Sequence, residues 1–385
     1  MSSYQVEALN LEKYQIDPQR GFLPSQDPLV AFSEDSSPYL RMLERIGLEL
    51  PELLTGHKLR ATLDGLETPD LRIFDSLSHR ELTHACAIYS FSASAYAHQL
   101  NESPVDEIPR GVAVPLVYLS RKLGRGNPIL SYDMYCLNNW HRIDPDGPIL
   151  VDNLYTIQKF VRIPDEPWFI LIHTEIEAKA SPAIQSIGYS QQAVLEDRPA
   201  DVQTSLEIMA TSLDDMTHTL RRMPEGNSPD RYAVTFRPYI QKFSGIVYGG
   251  VVEFGGKPQT FRGETGAQSS IIPSLDKALG IHHAKTGLTD YVVDMRKYMP
   301  VGHRAFIEAV ETGPSIREYV MGKNKPELTR AYNMVLDRLV EFRQLHLEFA
   351  ISYIFNKVGD TVGTGGIPFR PWLNQLCNET TQAKL

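Results

Sequence analysis

The chain has 385 residues, of which 42% are hydrophobic and 22% are charged, with a formal net charge of -9 and a pI near 5.7. This length predicts about two domains with a large core, and the acidic balance without a dense Lys/Arg block excludes a nucleic-acid surface. No apolar run reaches the length of a membrane span, and no signal-peptide pattern is visible. The three cysteines lack CxxC spacing, and this scarcity of cysteine predicts a reducing, cytoplasmic location.

The N-terminal part of the chain predicts a small helical domain preceded by an extended arm. The arm covers roughly the first 35 residues, which are polar and rich in proline. Prolines and a glycine predict a loop at 101–115. A dense turn signal at 144–148 (DPDGP) places a domain boundary near residue 155, so that the first domain is 1–155. Helical patterns occupy about 39–54, 76–100, 116–123 and 131–140.

The second predicted domain, 156–385, is larger and also helical, so the predicted class is all-α. Segment 169–177 fits a strand or a helix, but the helical propensity of the run that continues to residue 180 favours a helix. His173 then lies in an apolar patch, where a buried histidine bonded to the backbone is the simple alternative to a ligand-binding one. Segment 246–254 predicts a strand. Further helices are predicted at 199–223, 269–279, 290–299, 302–311 and 315–321.

Segment 327–358 predicts the longest amphipathic helix, with a stop at Gly359. Its apolar stripe consists of Val335, Leu339, Phe342, His346, Phe349 and Tyr353. A histidine on such a stripe either bonds to the backbone or binds a ligand, since imidazole is the commonest metal ligand. Arg343 lies one turn before His346 and is close enough to share a site with it. The glycine-rich loop at 363–366 has little side-chain bulk and suits a lid over a ligand, although a flexible connector is an equal alternative.

Other candidate residues give a mixed picture. Arg237 lies among aromatic residues at 232–239 and suits bidentate binding of a carboxylate, although a surface arginine with a packed stem is an equal alternative. The adjacent His282 and His283 do not share a helix face, and neither do His79 and His84, so neither pair predicts a metal site.

The phosphate-loop, dinucleotide-binding, serine-hydrolase and zinc-protease motifs are absent, which excludes those common classes.

Several motifs taken together resemble the indoleamine 2,3-dioxygenase family over most of the chain. Their order and spacing make the resemblance specific, although one motif alone would not. The resemblance implies an all-α, two-domain fold with haem b in the larger C-terminal domain. The motifs are IPRG at 108–111, LNNW at 137–140, FRGETGAQSS at 261–270, DMRKYMP at 294–300, HR at 303–304, RQLHL at 343–347 and GTGG at 363–366.

The resemblance also implies which residues bind the cofactor. His346 falls on the proximal ligand of the haem iron. Arg343 and Asp276 match positions that support the proximal side and a haem propionate. Thr265 stands near the haem edge, where the family often has serine.

The implied substrate-binding residues surround an indole and its amino-acid group. Arg237 matches the arginine that binds the substrate carboxylate, and Thr364 matches a loop threonine that helps to hold the amino acid. Tyr232 and Ala233 stand where the family has two phenylalanines that pack against the substrate. Because Ala233 removes a large apolar surface, weaker indole packing or a different indole substituent is expected. The full implied set is Tyr132, Phe169, Tyr232, Arg237 and Thr364.

His173 is the second departure and the predicted catalytic residue. It falls on the distal side of the haem, where animal members commonly have serine and where the related tryptophan 2,3-dioxygenases contact the indole N–H with a histidine. The implied reaction inserts both atoms of O2 across the indole C2–C3 bond, giving N-formyl-kynurenine from L-tryptophan, with a reductant to keep the haem ferrous. Two alternatives stay open: a haem-binding sensor or carrier without turnover, and a haem oxygenase that acts on a substituted indole.

Overall fold

The computed structural model describes residues 10–284 and 287–385, so residues 1–9 of the predicted arm lie outside the described residues. Helix accounts for 62% and strand for 5% of the structure, which confirms the all-α class. The main helices are α1 Pro38–Leu48, α2 Leu50–Thr55, α3 Leu59–Asp64, α4 His79–Ala97, α5 Arg110–Lys122, α6 Asp165–Lys179, α7 Ser181–Leu195, α8 Pro199–Arg221, α9 Ile271–Ala278, α10 Gly287–Met295, α11 Val301–Thr312, α12 Ile316–Lys323, α13 Pro326–Ala350 and α14 Phe369–Gln382.

The described strands are short and form two small sheets. Strands β1 Glu107–Ile108, β4 Phe243–Tyr248 and β5 Gln259–Phe261 form one sheet, in which β4 is central, parallel to β1 and antiparallel to β5. Strands β2 His141–Arg142 and β3 Leu154–Tyr155 form an antiparallel pair. The strand predicted at 246–254 therefore coincides with β4 only over 246–248, because a 3-10 turn forms at Val252–Phe254.

The loop predicted at 101–115 is wrong in its second half, where α5 begins at Arg110 and contains Pro115. A proline inside a helix costs roughly 3 kcal/mol, but the surrounding residues of α5, including Val112 and Leu116, are fully buried and offset that loss. The sequence interpretation also missed α7 and α14. Helix α7 begins with Ser181-Pro182, and α14 carries Pro371 in its first turn, a position where proline is tolerated although it resembles a breaker.

The long C-terminal helix forms as predicted. Pro326 begins α13, since proline lacks the N–H that the first turn leaves unbonded. The helix continues through a π turn at Ile351–Phe355 and a short turn to Gly359, whose φ of 69° ends it in the left-handed region that glycine favours. Helix α13 packs mainly on α8 and α14, and α8 packs on α6 and α7. This arrangement fixes α6 and α13 on two sides of one interior space.

Three π turns interrupt the helical framework of the described chain. They lie at Asp133–Leu137, Tyr232–Phe236 and Ile351–Phe355. A π turn accommodates one residue more than an α-turn and is frequent at functional sites. The residues at or beside these turns include Tyr132, Tyr232 and Tyr353, which all face the interior space described below.

The buried apolar residues form one continuous cluster that extends from the N-terminal segment to α14. The division into 1–155 and 156–385 stays a prediction. Among the described residues, every helix falls short of the length and apolar character that a bilayer crossing requires.

Candidate functional site

A cavity with two connected lobes lies between α6, α8, α13 and α14. The first lobe has about 930 Å³ of space that no atom fills, and the second has about 890 Å³; both volumes include the openings. The lobes share the wall residues His173, Leu220, Gly266, His346, Trp372 and Leu373.

His346 projects from α13 into both lobes. Among the described residues, no hydrogen bond reaches its ring, although the side chain is only partly accessible. Burial, followed by the proximity of His173, lowers the pKa of His346 to about 4. A neutral imidazole keeps a lone pair, which is the form that coordinates a metal. The structure therefore disfavours the alternative of a core histidine bonded to a backbone carbonyl.

His173 reaches the same two lobes from α6. Its Nδ1 lies 2.7 Å from the carbonyl oxygen of Phe169, one turn earlier. A carbonyl can only accept, so Nδ1 carries the proton and Nε2 is left as an acceptor. Burial lowers the pKa of His173, which keeps the ring neutral. The backbone bond that was the simple alternative for His173 is present, and it leaves Nε2 available to a ligand.

A buried charged cluster lines the first lobe beside His346. Arg343 donates from Nη2 to both carboxylate oxygens of Asp276 at 2.7 Å, and from Nη1 to Thr380. His283 bridges Asp276 and Glu379, with Nε2 3.0 Å from Asp276 Oδ2 and Nδ1 2.6 Å from Glu379 Oε2. Although burial opposes both shifts, Arg343 and His283 lower the pKa of Asp276, and Asp276 and Glu379 raise that of His283.

The sequence does not mark His283 as a site residue, because its position beside His282 speaks only against a metal pair. The pairing of His283 with Asp276 depends on the packing of the loop after α9 against α14, which no local pattern reveals. No group of three or more His, Cys, Asp or Glu side chains with metal-binding geometry occurs among the described residues.

The donor set of this cavity fits a haem. An apolar wall suits a porphyrin, and one neutral histidine without a protein partner suits its iron. Arg343 is paired with Asp276, but its buried Nε has no hydrogen-bond partner and suits a propionate. His346 and Arg343 lie on the same helix one turn apart, so one rigid element would supply both the iron ligand and the propionate partner. Asp276 and Thr265 also line the cavity, and the four predicted cofactor-binding residues therefore lie together.

Aromatic side chains build the wall around His173. The ring of Phe169 lies 4.5 Å from that of His173 and 5.3 Å from that of Tyr232, measured between centroids. Tyr132 approaches His173 edge-on at 6.1 Å and donates from its hydroxyl to Glu177 at 3.0 Å. Burial raises the pKa of Tyr232 to about 12, so its hydroxyl stays protonated. The three predicted wall residues, Tyr132, Phe169 and Tyr232, are thus brought together.

Arg237 is the one predicted site residue that does not line either lobe. It is 4% exposed and lies beside Tyr232. Its Nη1 donates to Asp360 Oδ2 at 2.8 Å and its Nη2 to the carbonyl oxygen of Val362 at 3.2 Å. The guanidinium therefore already binds a carboxylate of the segment that leads into the glycine-rich loop.

The glycine-rich loop closes the second lobe. Thr364 is buried, lines this lobe and donates from Oγ1 to the carbonyl oxygen of Glu264. Gly365 packs so closely that a Cβ there would lie 2.0 Å from the hydroxyl of Tyr291. The structure also places Glu264 on the wall of the second lobe, a position that the motif FRGETGAQSS does not reveal by itself.

Comparisons with known proteins point to one family. The family model described as "Indoleamine 2,3-dioxygenase" matches residues 10–364. The chain is 32% identical to "Indoleamine 2,3-dioxygenase 2" of Homo sapiens, over 90% of this chain and 84% of the human protein. It is 33% identical to "Indoleamine 2,3-dioxygenase 1" of Mus musculus, over 89% and 84%. It is 29% identical to "Indoleamine 2,3-dioxygenase" of Saccharomyces cerevisiae, over 96% and 92%.

Proposed function

The chain belongs to the indoleamine 2,3-dioxygenase family, and from this we propose that it is a haem-dependent dioxygenase that oxidises L-tryptophan or a related indole. Both atoms of O2 enter the product across the indole C2–C3 bond, giving N-formyl-kynurenine from tryptophan. The observation that carries the proposal is the pair of neutral histidines, His173 and His346, that face one apolar cavity from two different helices.

His346 would bind the iron of haem b, with Arg343 and Asp276 supporting this side and a propionate. The haem supplies activation of dioxygen when it is bound, and a cellular reductant keeps its iron ferrous. Thr265 would contact the haem edge. The remaining residues of the site would contact the substrate, so the protein contributes mainly by positioning it and by excluding water.

His173 would orient the substrate. Its Nε2 accepts a hydrogen bond, and the indole N–H is a donor, so the two groups are complementary. Tyr132, Phe169 and Tyr232 would pack against the indole ring. Thr364 would hold the amino-acid group when the glycine-rich loop closes.

The proposed carboxylate partner is Arg237. Because Asp360 binds this guanidinium, the substrate carboxylate would have to displace Asp360 before it could bind. The displacement is feasible because the Asp360 side chain is 50% exposed and would be solvated after release. We further propose a cytoplasmic location, which is supported by the three free, buried cysteines.

Turnover by the purified protein tests the proposal. The haem-loaded protein, reduced with ascorbate, should convert L-tryptophan to formyl-kynurenine, and ¹⁸O₂ should place two labelled atoms in the product. One labelled atom would instead indicate a haem oxygenase that acts on a substituted indole. Full haem loading without turnover of any indole would overturn the proposal in favour of a sensor or carrier. Family membership does not favour either alternative.

A further inference from the structure

Glu264 is a buried carboxyl group that the proposed reaction does not use. Its backbone is fixed at both ends, since its N–H donates to the carbonyl oxygen of Ile240 and its own carbonyl accepts from Thr364. The residue is 3% exposed and lines the second lobe. Within residues 10–284 and 287–385, no hydrogen bond or ion pair reaches its side-chain oxygens. A buried carboxyl group normally has such partners.

Two other buried glutamates show what a structural carboxyl group looks like in this protein. Glu166 accepts from the backbone N–H groups of Phe160 and Val161, and Glu177 accepts from Tyr132 and Ser269. Glu177 Oε2 is fully buried without a hydrogen-bond partner, whereas neither oxygen of Glu264 is fully buried. The carboxyl group of Glu264 therefore keeps access to the cavity, while those of Glu166 and Glu177 belong to the packing.

The charges around the second lobe leave Glu264 without a counterion. The described residues that line this lobe include no lysine and no arginine. Outside the lobe, Arg237 is paired with Asp360 and Arg262 is paired with Asp294. Burial alone raises the pKa of Glu264 to about 8, and no neighbouring charge opposes it. A carboxyl group in this environment is stabilised by a cation that enters with a ligand.

We propose that Glu264 binds the ammonium group of the substrate. This inference rests on the proposed function, in which the indole ring lies beside His173. In the complex the indole N–H donates to His173 Nε2, and the ammonium group donates to Glu264. Glu264 is then a specificity-determining residue, because it contacts the substrate at a group that does not react.

Three indole compounds distinguish binding of the amine from binding of the carboxylate in the haem-loaded protein. Tryptamine has the amine without a carboxylate, indole-3-propionate has the carboxylate without an amine, and L-tryptophan has both. Their dissociation constants are measured from the change in haem absorbance, by direct titration or by competition. In Glu264→Gln the constant for tryptamine should rise about 10-fold or more, since a charge-assisted hydrogen bond is lost. The constant for indole-3-propionate should stay unchanged or fall.

Glu166→Gln is the matched control, because it removes a buried carboxyl group outside both lobes. It should leave the ratio of the tryptamine and indole-3-propionate constants unchanged. An equal effect of Glu264→Gln on the amine and the carboxylate probe would overturn the inference. If that variant does not retain haem, Glu264→Asp replaces it, because it keeps the charge and shortens the side chain. Its tryptamine constant should rise while its indole-3-propionate constant stays unchanged, and an unchanged tryptamine constant would overturn the inference.

Failure of the proposed function has a different signature. In that case the wild-type protein turns over none of the amine-bearing indoles. If the wild type oxidises L-tryptophan while Glu264→Gln binds tryptamine as well as the wild type does, the proposed function stands and only the role of Glu264 is refuted.

Discussion

Arg237 Nη1 lies 2.8 Å from Asp360 Oδ2, so the arginine that is proposed to bind the substrate carboxylate holds a carboxylate of its own chain. Arg237 is buried and Asp360 is half exposed, and the contact joins the π turn at Tyr232–Phe236 to the segment before the glycine-rich loop. Two carboxylates, one internal and one from the substrate, therefore compete for one guanidinium.

Asp360→Asn should strengthen the binding of substrates that have a carboxylate. The variant keeps the size of the side chain and removes its charge, so the KM for L-tryptophan should fall by roughly 2- to 5-fold, the range expected for a partly exposed ion pair. The KM for tryptamine should not change. Asp230→Asn, which breaks the exposed pair with Lys357, serves as a control. An unchanged or higher KM for L-tryptophan in Asp360→Asn would argue against competition.

His346→Ala should abolish the Soret band of the purified protein. Changes in residues that only support a metal ligand weaken binding by about 10- to 100-fold, so removal of the ligand itself should have a larger effect. Haem content is measured by absorbance against total protein. His218→Ala, at an exposed position of α8, should retain full haem content. If His346→Ala keeps an unaltered axial-ligand spectrum, the iron ligand is another residue.

His173→Ser should keep the haem and lose discrimination at the indole nitrogen. The lost hydrogen bond should lower kcat/KM for L-tryptophan by about 10-fold, while 1-methyl-L-tryptophan, which has no N–H, should be affected little. Steady-state rates with both substrates measure the difference. Loss of haem in His173→Ser would mean that the proximal and distal sides are reversed. Equal losses with both substrates would mean that His173 acts through packing.

Gly365→Ala should disturb the glycine-rich loop, and Gly363→Ala should not. A Cβ at position 365 would lie 2.0 Å from the hydroxyl of Tyr291, whereas a Cβ at position 363 has its nearest neighbour at 4.0 Å. The loop must move away from Tyr291, so the KM for L-tryptophan should rise by several-fold because Thr364 moves with it. Equal KM values for the two variants would contradict a role for this close contact.

The His283 cluster should make the stability of the haem-free protein depend on pH. Because the folded-state pKa of His283 is raised, its stabilisation is complete below the unfolded pKa of about 6.5 and is lost as the pH rises through the folded value. Urea midpoints measured from pH 6 to pH 9 should therefore fall toward high pH. His283→Gln should flatten this profile, while the exposed neighbour His282→Gln should leave it as in the wild type.

The residues that sequence reasoning located are those that a local period or a motif marks. His346 was visible because a histidine interrupts an apolar stripe at helical spacing, and His173 because an apolar run surrounds it. His283 and Asp360 were not visible, because each acts through a contact with a segment more than 90 residues away. Glu264 was not visible because its proposed role arises from the lack of any side-chain partner. Helix α14 was missed for a similar reason, since it is marginal alone and is stabilised by packing on α13.

The three π turns suggest how relatives of this protein can diverge. Each turn holds one residue beyond the α-helical repeat, and a removed residue would rotate everything that follows by about 100° around the helix axis. Tyr132, Tyr232 and Tyr353 stand at or beside these turns. Insertion or deletion of a single residue at such a turn therefore changes which side chains face the cavity, without any amino-acid replacement in the cavity wall.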